Sequence, residues 1–431
     1  MKMSNVNDIK DSYLCYGCGA CNVICGHSAI SMQYDNIGRL CPIIDESKCT
    51  DCGLCRSNCP ALDSKGIQLP HSEDKYVGQV ECVYIGRASD EGVFRNSQSG
   101  GMVTATVEYL LESGKIDAAI MCKIEDAIEY SPKAVVITSV KDLYSCQRSS
   151  YVPIDIVSAM KDACRYNSIA IIGTGCHIQG IKALQNFGTK YKNKIKYTLG
   201  LVCDRTLCKT VTDVLYGGHF KNKKKRIVWR DKSKNYEKAR LLIQNSEGVQ
   251  KELPRWKRLA LKDPFTNPRC RICFDKLNTG ADIVFGDPWG MSNVDWLNGT
   301  SLVITRTHSG SEIIRQMMET SCAKLSEAAL DEVVKGQFIE KRKKDVSAAL
   351  SYYRKRGWCM PSYSDVIDLK ETNQEIDYLI DSFVKDSSYS KSKIVSKNKI
   401  YLLKQYLYYS SILRFPIRAI LWVKNHMLYN N

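Results

Sequence analysis

Two runs near the start of the chain, CYGCGACNVIC (15–25) and CTDCGLCRSNCP (49–60), share the spacing C-x2-C-x2-C-x3-C. Few other patterns restrict a fold so tightly. Three thiolates on a tight glycine-containing loop grip three irons of a cubane, and the fourth, launched on a short helical turn, reaches the neighbouring cluster. This crossed pattern assigns Cys15, Cys18, Cys21 and Cys59 to one [4Fe–4S] cluster, and Cys49, Cys52, Cys55 and Cys25 to another. Zinc also takes four thiolates, but two identical four-part spacings favour the bacterial ferredoxin pattern, although only the second run keeps the usual proline. Cys41 lies between the runs and matches neither. Residues 1–70 are therefore expected to form a 2x[4Fe–4S] ferredoxin-type domain.

The other cysteines bear on the compartment. The chain has 20 cysteines in 431 residues and opens without the apolar stretch of a secretory signal. Thiols kept reduced for metal or redox work are expected rather than disulfides. No run approaches a membrane-spanning length, so the expected location is cytoplasmic. The formal charge of +16, from 62 Lys+Arg against 46 Asp+Glu, first suggests nucleic acid. Each cluster held by four thiolates, however, adds about −2 when oxidised. The basic runs KNKKKR (221–226) and KRKK (341–344) stand without a nucleic-acid motif, so no nucleic-acid partner is expected.

After about residue 75 the pattern changes to alternating strands and helices. KIDAAIMC (115–122), KAVVIT (133–138), SIAIIG (168–173), YTLGLVC (197–203), ADIVFGD (281–287) and SLVITRT (301–307) read as buried strands. GMVTATVEYLLESG and IQGIKALQNFG read as helices that end on Gly114 and Gly188. The alternation predicts an α/β sheet covered by helices. KRIVWRD and KARLLIQNSEGVQKELP add a β-ribbon turning around Ser246-Glu247-Gly248. Residues 311–380 read as a helical extension and 381–398 as a Ser- and Lys-rich linker. In the tail, 399–431, Lys404, Ser411, Arg414, Arg418 and Asn425 share one helical face. Such a helix either lies at a membrane interface or docks on protein.

Within the α/β region, RNSQSGGMVTATVEYLLESG (95–114) opens a helix on glycines, offering backbone N–H groups to an anion or only a tight turn. IAIIGTGCHIQGIKAL (169–184) is a strand, a Gly-x-Gly turn and a helix, with a cysteine and a histidine where a phosphate would sit. Cys176, Cys203, Cys270 and Cys273 fall at or near predicted strand ends, which parallel strands gather on one side of a sheet. A third [4Fe–4S] site is expected from these four, with zinc the alternative and Cys208 a substitute for Cys203.

A two-cluster module followed in order by SQSGGMVTA, GTGCHIQGIKAL, a strand-end VC and CRICFDKLNTGADIVFGDPWG resembles the coenzyme F420 hydrogenase/dehydrogenase beta-subunit family. The resemblance covers about residues 10–310. It implies an α/β fold, α+β overall, with the ferredoxin-like domain and an α/β flavin-binding domain over 75–310; the helical C-terminal extension lies beyond the resemblance and exceeds the minimal hydrogenase-type subunit. It also implies an FAD-containing iron–sulfur oxidoreductase. By position, Ser97, Ser99, Gly100, Gly101 and Thr104 match the family's flavin-side glycine segment, and Gly173, Gly175 and Cys176 its Gly-x-x-Cys turn. Asp287, Trp289 and Gly290 match its Gly-Asp-x-Trp-Gly signature, where Asp287 either holds a ribityl or ribose hydroxyl or caps the turn before Pro288. Two positions depart from the family: Asp204-Arg205 follow the strand-end cysteine where His-Gly is common, and RSSY (148–151) stands for Gly-Ser-Lys-Tyr. Arg148 is the basic residue nearby, and both departures weaken the deazaflavin expectation while leaving clusters and flavin intact.

The expected activity is electron transfer between a ferredoxin-like donor or a larger redox complex, the clusters and FAD. From there electrons pass to an F420-like coenzyme or a small organic substrate. The alternative is an electron-transfer subunit with no substrate site of its own. His177, Tyr151 and Asp204 are the candidate proton donors. Peripheral contact with the inner face of the membrane is expected only through the tail.

Overall fold

Continuous apolar runs, rather than alternating ones, mark strands covered on both faces, and such runs build the centre of this protein. A computed structural model describes residues 5–62, 74–188, 190–216, 224–355, 357 and 359–361. The expected linker and amphipathic tail lie outside these residues.

In the N-terminal unit, strands β1 (Ile30–Tyr34) and β2 (Leu40–Ile44) pair antiparallel between the two cysteine runs. The main sheet contains β3 (Cys82–Ala88), β4 (Ala118–Lys123), β5 (Lys133–Ile137), β6 (Ile169–Thr174) and β7 (Ile195–Leu201). The ribbon is β8 (Arg226–Asp231), β9 (Arg240–Asn245) and β10 (Gly248–Leu253), and the main sheet is completed by β11 (Ile283–Gly286), β12 (Ser301–Thr305) and β13 (Ala323–Glu327). Its order is β13-β3-β12-β11-β7-β6-β4-β5. The central four, β11, β7, β6 and β4, are parallel, and antiparallel strands flank them on both sides. The sheet is therefore mixed, and all six expected buried strands belong to it.

Alternate residues of β6 feed two cores. Ile169 and Ile171 pack with Ile178, Ile181 and Leu184 of the helix Gly175–Asn186, and Ala170 and Ile172 pack with the helices Met102–Glu112 and His308–Glu319 on the other face. The first core also takes in Ile9, Leu14, Tyr16 and Val23, so the ferredoxin-type unit shares its interior with the sheet. Asn22 Nδ2 donates to Ser158 Oγ at 2.8 Å, and Tyr34 Oη donates to the Pro153 carbonyl at 2.6 Å, fixing the two parts to one another.

The expected ribbon has three strands, KRIVWRD forming β8 beside the β9–β10 hairpin. One feature differs from the sequence expectation. The stretch after residue 310 is helical over His308–Glu319, Leu330–Gly336 and Ile339–Lys355, but β13 intervenes as an edge strand of the main sheet. Among the described residues no helix is long and apolar enough to cross a membrane.

Candidate redox site

The two N-terminal cysteine runs fold so that each fourth cysteine leaves its own run. Cys25, Cys49, Cys52 and Cys55 line one pocket together with Ile30 and Ile44. Cys59 lies instead beside Cys18 and Cys21. Backbone N–H groups point at the sulfurs: Gly17 donates to Cys15 Sγ and Ala29 to Cys25 Sγ, each at 3.3 Å. Cys18, Cys55 and Cys59 receive backbone hydrogen bonds as well. Burial pushes the Cys59 thiol up to about 11, which disfavours its thiolate until a cation offsets the desolvation. Cys41, buried on β2, lies against Cys15.

The second set of thiols gathers where β6 and β7 end. Cys176 opens the helix that follows β6, and Cys203 lies just past β7. The segment carrying Cys270 and Cys273 folds over those strand ends. It is tied down by Asn278, whose Nδ2 donates to the carbonyls of Gly173 (2.9 Å) and Leu201 (3.4 Å). Cys203 N–H donates to the Lys276 carbonyl at 2.9 Å. Cys203 then lies close to Cys270, Cys176 and Cys273, and burial raises its thiol well above the ordinary range. Burial likewise pushes Cys176 up to about 12. Thr206 N–H donates to Cys270 Sγ at 3.4 Å. Cys208 neighbours Cys270 but otherwise faces Asp35, Arg39 and Cys41, so Cys203 is the one the geometry groups with the other three. Among the described residues no group of three or more His, Cys, Asp or Glu forms a site for a single metal ion.

Two arginines supply positive charge around these thiols. Arg342 donates to the carbonyls of Cys273 (2.9 Å), Cys270 (3.0 Å) and Asp204 (3.2 Å). Arg269, almost fully buried, interacts with both Cys59 and Cys273 and donates to Tyr16 Oη at 2.6 Å. The two thiol sets also lie on one shared helix. Cys18 and Cys176 are electrostatic neighbours, and Cys18 Sγ would lie 3.1 Å from a Cβ at Gly180 on the helix that Cys176 begins.

A third constellation forms over β8. Lys232, just past this strand, donates to the Phe94 carbonyl (2.8 Å) and Ser97 Oγ (3.2 Å) and bonds the Ser99 carbonyl, clamping the glycine-rich segment. Arg230 pairs with Asp287, whose other oxygen accepts from Tyr236 Oη at 2.7 Å. Trp289 stacks on Tyr236 at 5.9 Å and on Trp296 at 5.5 Å. Gln98 Nε2 donates to Tyr151 Oη at 3.2 Å, and the Tyr151 ring lies 5.2 Å from that of Trp229. Segments far apart in sequence (94–101, 149–151 and 287–289) thus assemble on one ribbon strand and the residue that follows it.

Residues 166–330 match the family described as the C terminus of the coenzyme F420 hydrogenase/dehydrogenase beta chain, and residues 83–161 match the family of its N-terminal part. Residues 14–62 match a 4Fe-4S dicluster domain. The chain belongs to the coenzyme F420 hydrogenase/dehydrogenase beta-subunit family. A coenzyme F420-dependent sulfite reductase from Methanocaldococcus jannaschii is 29% identical over 72% of this chain, a match that spans 46% of that protein. The coenzyme F420 hydrogenase subunit beta of Methanosarcina barkeri is 24% identical over 56% of this chain and 80% of its own length. A chain of the F420-reducing [NiFe] hydrogenase complex from Methanosarcina barkeri shares the fold with a TM-score of 0.52. That match is 22% identical and covers 66% of this chain and 95% of that one.

The positions matched to the family's motifs divide into groups. Ser97, Ser99 and Gly100 sit under Lys232 and Ser301, whose Oγ accepts from Gly100 N–H at 3.0 Å. Gly101 is the left-handed cap of the helix Met102–Glu112, inside which Thr104 is buried. Gly173 and Gly175 are needed for packing within the protein. A Cβ on Gly173 would meet His177 Cβ at 2.7 Å, and one on Gly175 would meet Asp275 Oδ2 at 2.5 Å.

The three candidate proton donors are all engaged. His177 Nδ1 accepts from Thr174 N–H at 3.2 Å, and Nε2 lies 3.0 Å from the Ile154 carbonyl. Burial lowers its imidazole to about 4, so the ring is neutral and ties the helix start to the 154 loop. Burial would raise Asp204, but Arg205, Lys262, Lys276 and Arg342 outweigh it and hold the carboxyl well below the usual range. Tyr151 keeps its hydroxyl in the β8 constellation. Sequence reasoning missed Arg230, Lys232, Arg269 and Arg342. Arg342 lies in the basic run KRKK and Arg230 in the ribbon strand KRIVWRD, but neither run marks a site, and only the fold brings the four to their partners.

Proposed function

We propose that the chain is an iron–sulfur flavoprotein oxidoreductase that carries electrons through three [4Fe–4S] clusters to FAD. Cys15, Cys18, Cys21 and Cys59 would hold the first cluster, Cys25, Cys49, Cys52 and Cys55 the second, and Cys176, Cys203, Cys270 and Cys273 the third. The FAD would lie over β8, against Ser97, Ser99, Gly100, Gly101, Asp287, Trp289 and Gly290. Bound there, the clusters supply one-electron steps and the flavin pairs them for hydride chemistry.

The observation that carries this reading is the close packing of Cys18 on the helix Gly175–Asn186, which carries Cys176 in its first turn: Cys18 Sγ would lie 3.1 Å from a Cβ at Gly180. The N-terminal cysteine unit therefore lies against the helix that presents one thiol of the other set. Arg269 and Arg342 offset the negative charge that oxidised or reduced clusters bring into a buried site. Around the flavin, the residues suited to the work are electrostatic ones. Lys232 orders the 94–99 loop, and the Tyr236–Asp287–Arg230 chain fixes the carboxylate where a ring or ribityl group would approach. Tyr151 is the hydroxyl best placed to exchange a proton there, whereas His177 and Asp204 serve as positioning groups. The donor would be a ferredoxin-like protein or redox complex, and the acceptor an F420-like coenzyme, the coenzyme that the relatives' names carry, or a small organic molecule.

Cys270→Ser tests the ligand set. Anaerobically purified variant should lose about four of about twelve irons and keep the ferredoxin pair. Unchanged iron content would refute the assignment.

A further inference from the structure

On the helix Ile339–Lys355, Arg342 is the cation turned into the protein, at 9% exposed. Its neighbours on that helix are paired near the surface: Lys341 with Asp345 (2.5 Å), and Lys343 with Asp74 (2.6 Å) and Glu340 (2.7 Å). Arg342 instead directs Nε, Nη1 and Nη2 at neutral carbonyls, those of Cys273, Asp204 and Cys270. Its ion-pair partner among the described residues is Asp204, whose Oδ1 lies 3.8 Å from Nη1. That carboxylate is shared with Arg205 (2.9 Å) and Lys262 (3.6 Å). The guanidinium charge is therefore only partly offset by a carboxylate, while Cys203, Cys270 and Cys273 are its electrostatic neighbours. Asp204 in turn faces Cys203.

Burying a cation without a close counter-ion of its own is costly. Packing holds it there nonetheless, because Val346, Ala349, Leu350 and Tyr353 fix the helix in the core that contains Ile178. Four thiolates around a [4Fe–4S] cluster supply the missing negative charge, about −2 when oxidised and about −3 after one electron is added. That reduction moves one electron and no proton, and no bond forms or breaks. A fixed positive charge in a poorly solvated site stabilises the more negative state, and a fixed carboxylate destabilises it. Arg342 and Asp204 thus act on the third thiol set with opposite sign.

We propose that Arg342 and Asp204 form a potential-setting pair for a cluster at Cys176, Cys203, Cys270 and Cys273, the guanidinium raising its reduction potential and the carboxylate limiting the rise. Neither touches a reacting atom, so both are positioning residues. The proposal rests on the three-cluster reading above. It gives the helix Ile339–Lys355, which lies past residue 330 where the family match ends, a part in setting the driving force between the N-terminal clusters and the flavin.

The experiment is a mediated redox titration of the full chain, purified anaerobically, with dithionite as the electron donor and electron paramagnetic resonance as the readout. Iron and sulfide are counted first, and the signal absent from Cys270→Ser identifies the third cluster. In Arg342→Met the ratio of reduced to oxidised third cluster at a fixed potential should fall about tenfold, which is about 59 mV for a one-electron couple. Asp204→Asn should move the same signal in the opposite direction. Arg342→Lys should stay closer to the wild type, because it keeps the charge without the fork. The signals of the two N-terminal clusters should move less in every variant. Loosened packing does not produce shifts of opposite sign, so Asp204→Asn carries the test even where Arg342→Met loses iron. About twelve irons in the wild type with no shift in either variant, or with both shifts of one sign, would overturn the proposal and leave the three-cluster reading standing. About eight irons, with no signal missing from Cys270→Ser, would overturn both.

Discussion

At Asn278 the backbone is left-handed, with φ 54, and the side chain is fully buried between the ends of β6 and β7. Its amide donates to the carbonyls of Gly173 and Leu201, close to where Cys176 and Cys203 turn off the sheet. Asn tolerates this conformation better than most residues, and its two donors reach both strands. Asn278→Ala should lower stability by about 1–3 kcal/mol in urea denaturation, through the unpaired carbonyls and the strained backbone. Iron should also be lost preferentially from the third set on mild chelation, and equal loss from all sites would count against this role. The sequence names all twelve proposed ligands because cluster spacing is local for eight and the ends of β6 and β7 are predictable for Cys176 and Cys203. Cys270, expected near a strand end, lies instead on the short helix Pro268–Arg271 and reaches the site with Cys273 because that segment folds over the strand ends. It does not name Asn278, Arg269 or Arg342, since each acts on residues brought near only by the fold. The candidate proton donors show the same limit. A histidine after a turn looks chemical in sequence, yet both nitrogens of His177 are occupied.

Among the elements, β6 and β7 are readable because burial on both faces makes a strand a continuous apolar run. β3 and β13 are not. β3 runs CVYIGRA, broken by Gly86 and Arg87, and β13 is an edge strand whose residues after Ala323 are mostly exposed. The helix Leu330–Gly336 matters through close approach, since a Cβ on Gly336 would overlap the Trp289 carbonyl oxygen. Gln337 Nε2 donates to the Asp287 carbonyl at 2.7 Å, so the helix end positions the Asp287–Trp289 turn. Gly336→Ala must therefore displace backbone, at a cost of about 1–3 kcal/mol or more. The expected outcome is a lower melting temperature together with weaker flavin binding. A variant that melts lower yet binds flavin normally would uncouple the helix from the turn.

Over the whole molecule, the ferredoxin-type unit is not a bead on a string. Ile9, Leu14 and Tyr16 share a core with Ile178 and Ile181, and Tyr16 also receives a hydrogen bond from Arg269. Removing residues 1–74 would bare that apolar face, and the remaining chain should aggregate or lose its cooperative thermal transition. A truncated chain with an undiminished, cooperative melt would show two independent units instead. The formal charge of +16 also makes sense at this scale. The proposed clusters would neutralise part of it inside the protein, beside Arg269 and Arg342. Composition shows the surplus but not its placement. The measurement that bears most directly on three clusters in series with a flavin is iron, sulfide and flavin content per chain after anaerobic purification. About twelve irons with one FAD is the expected result; about eight irons and no flavin, or stoichiometric zinc, would contradict it.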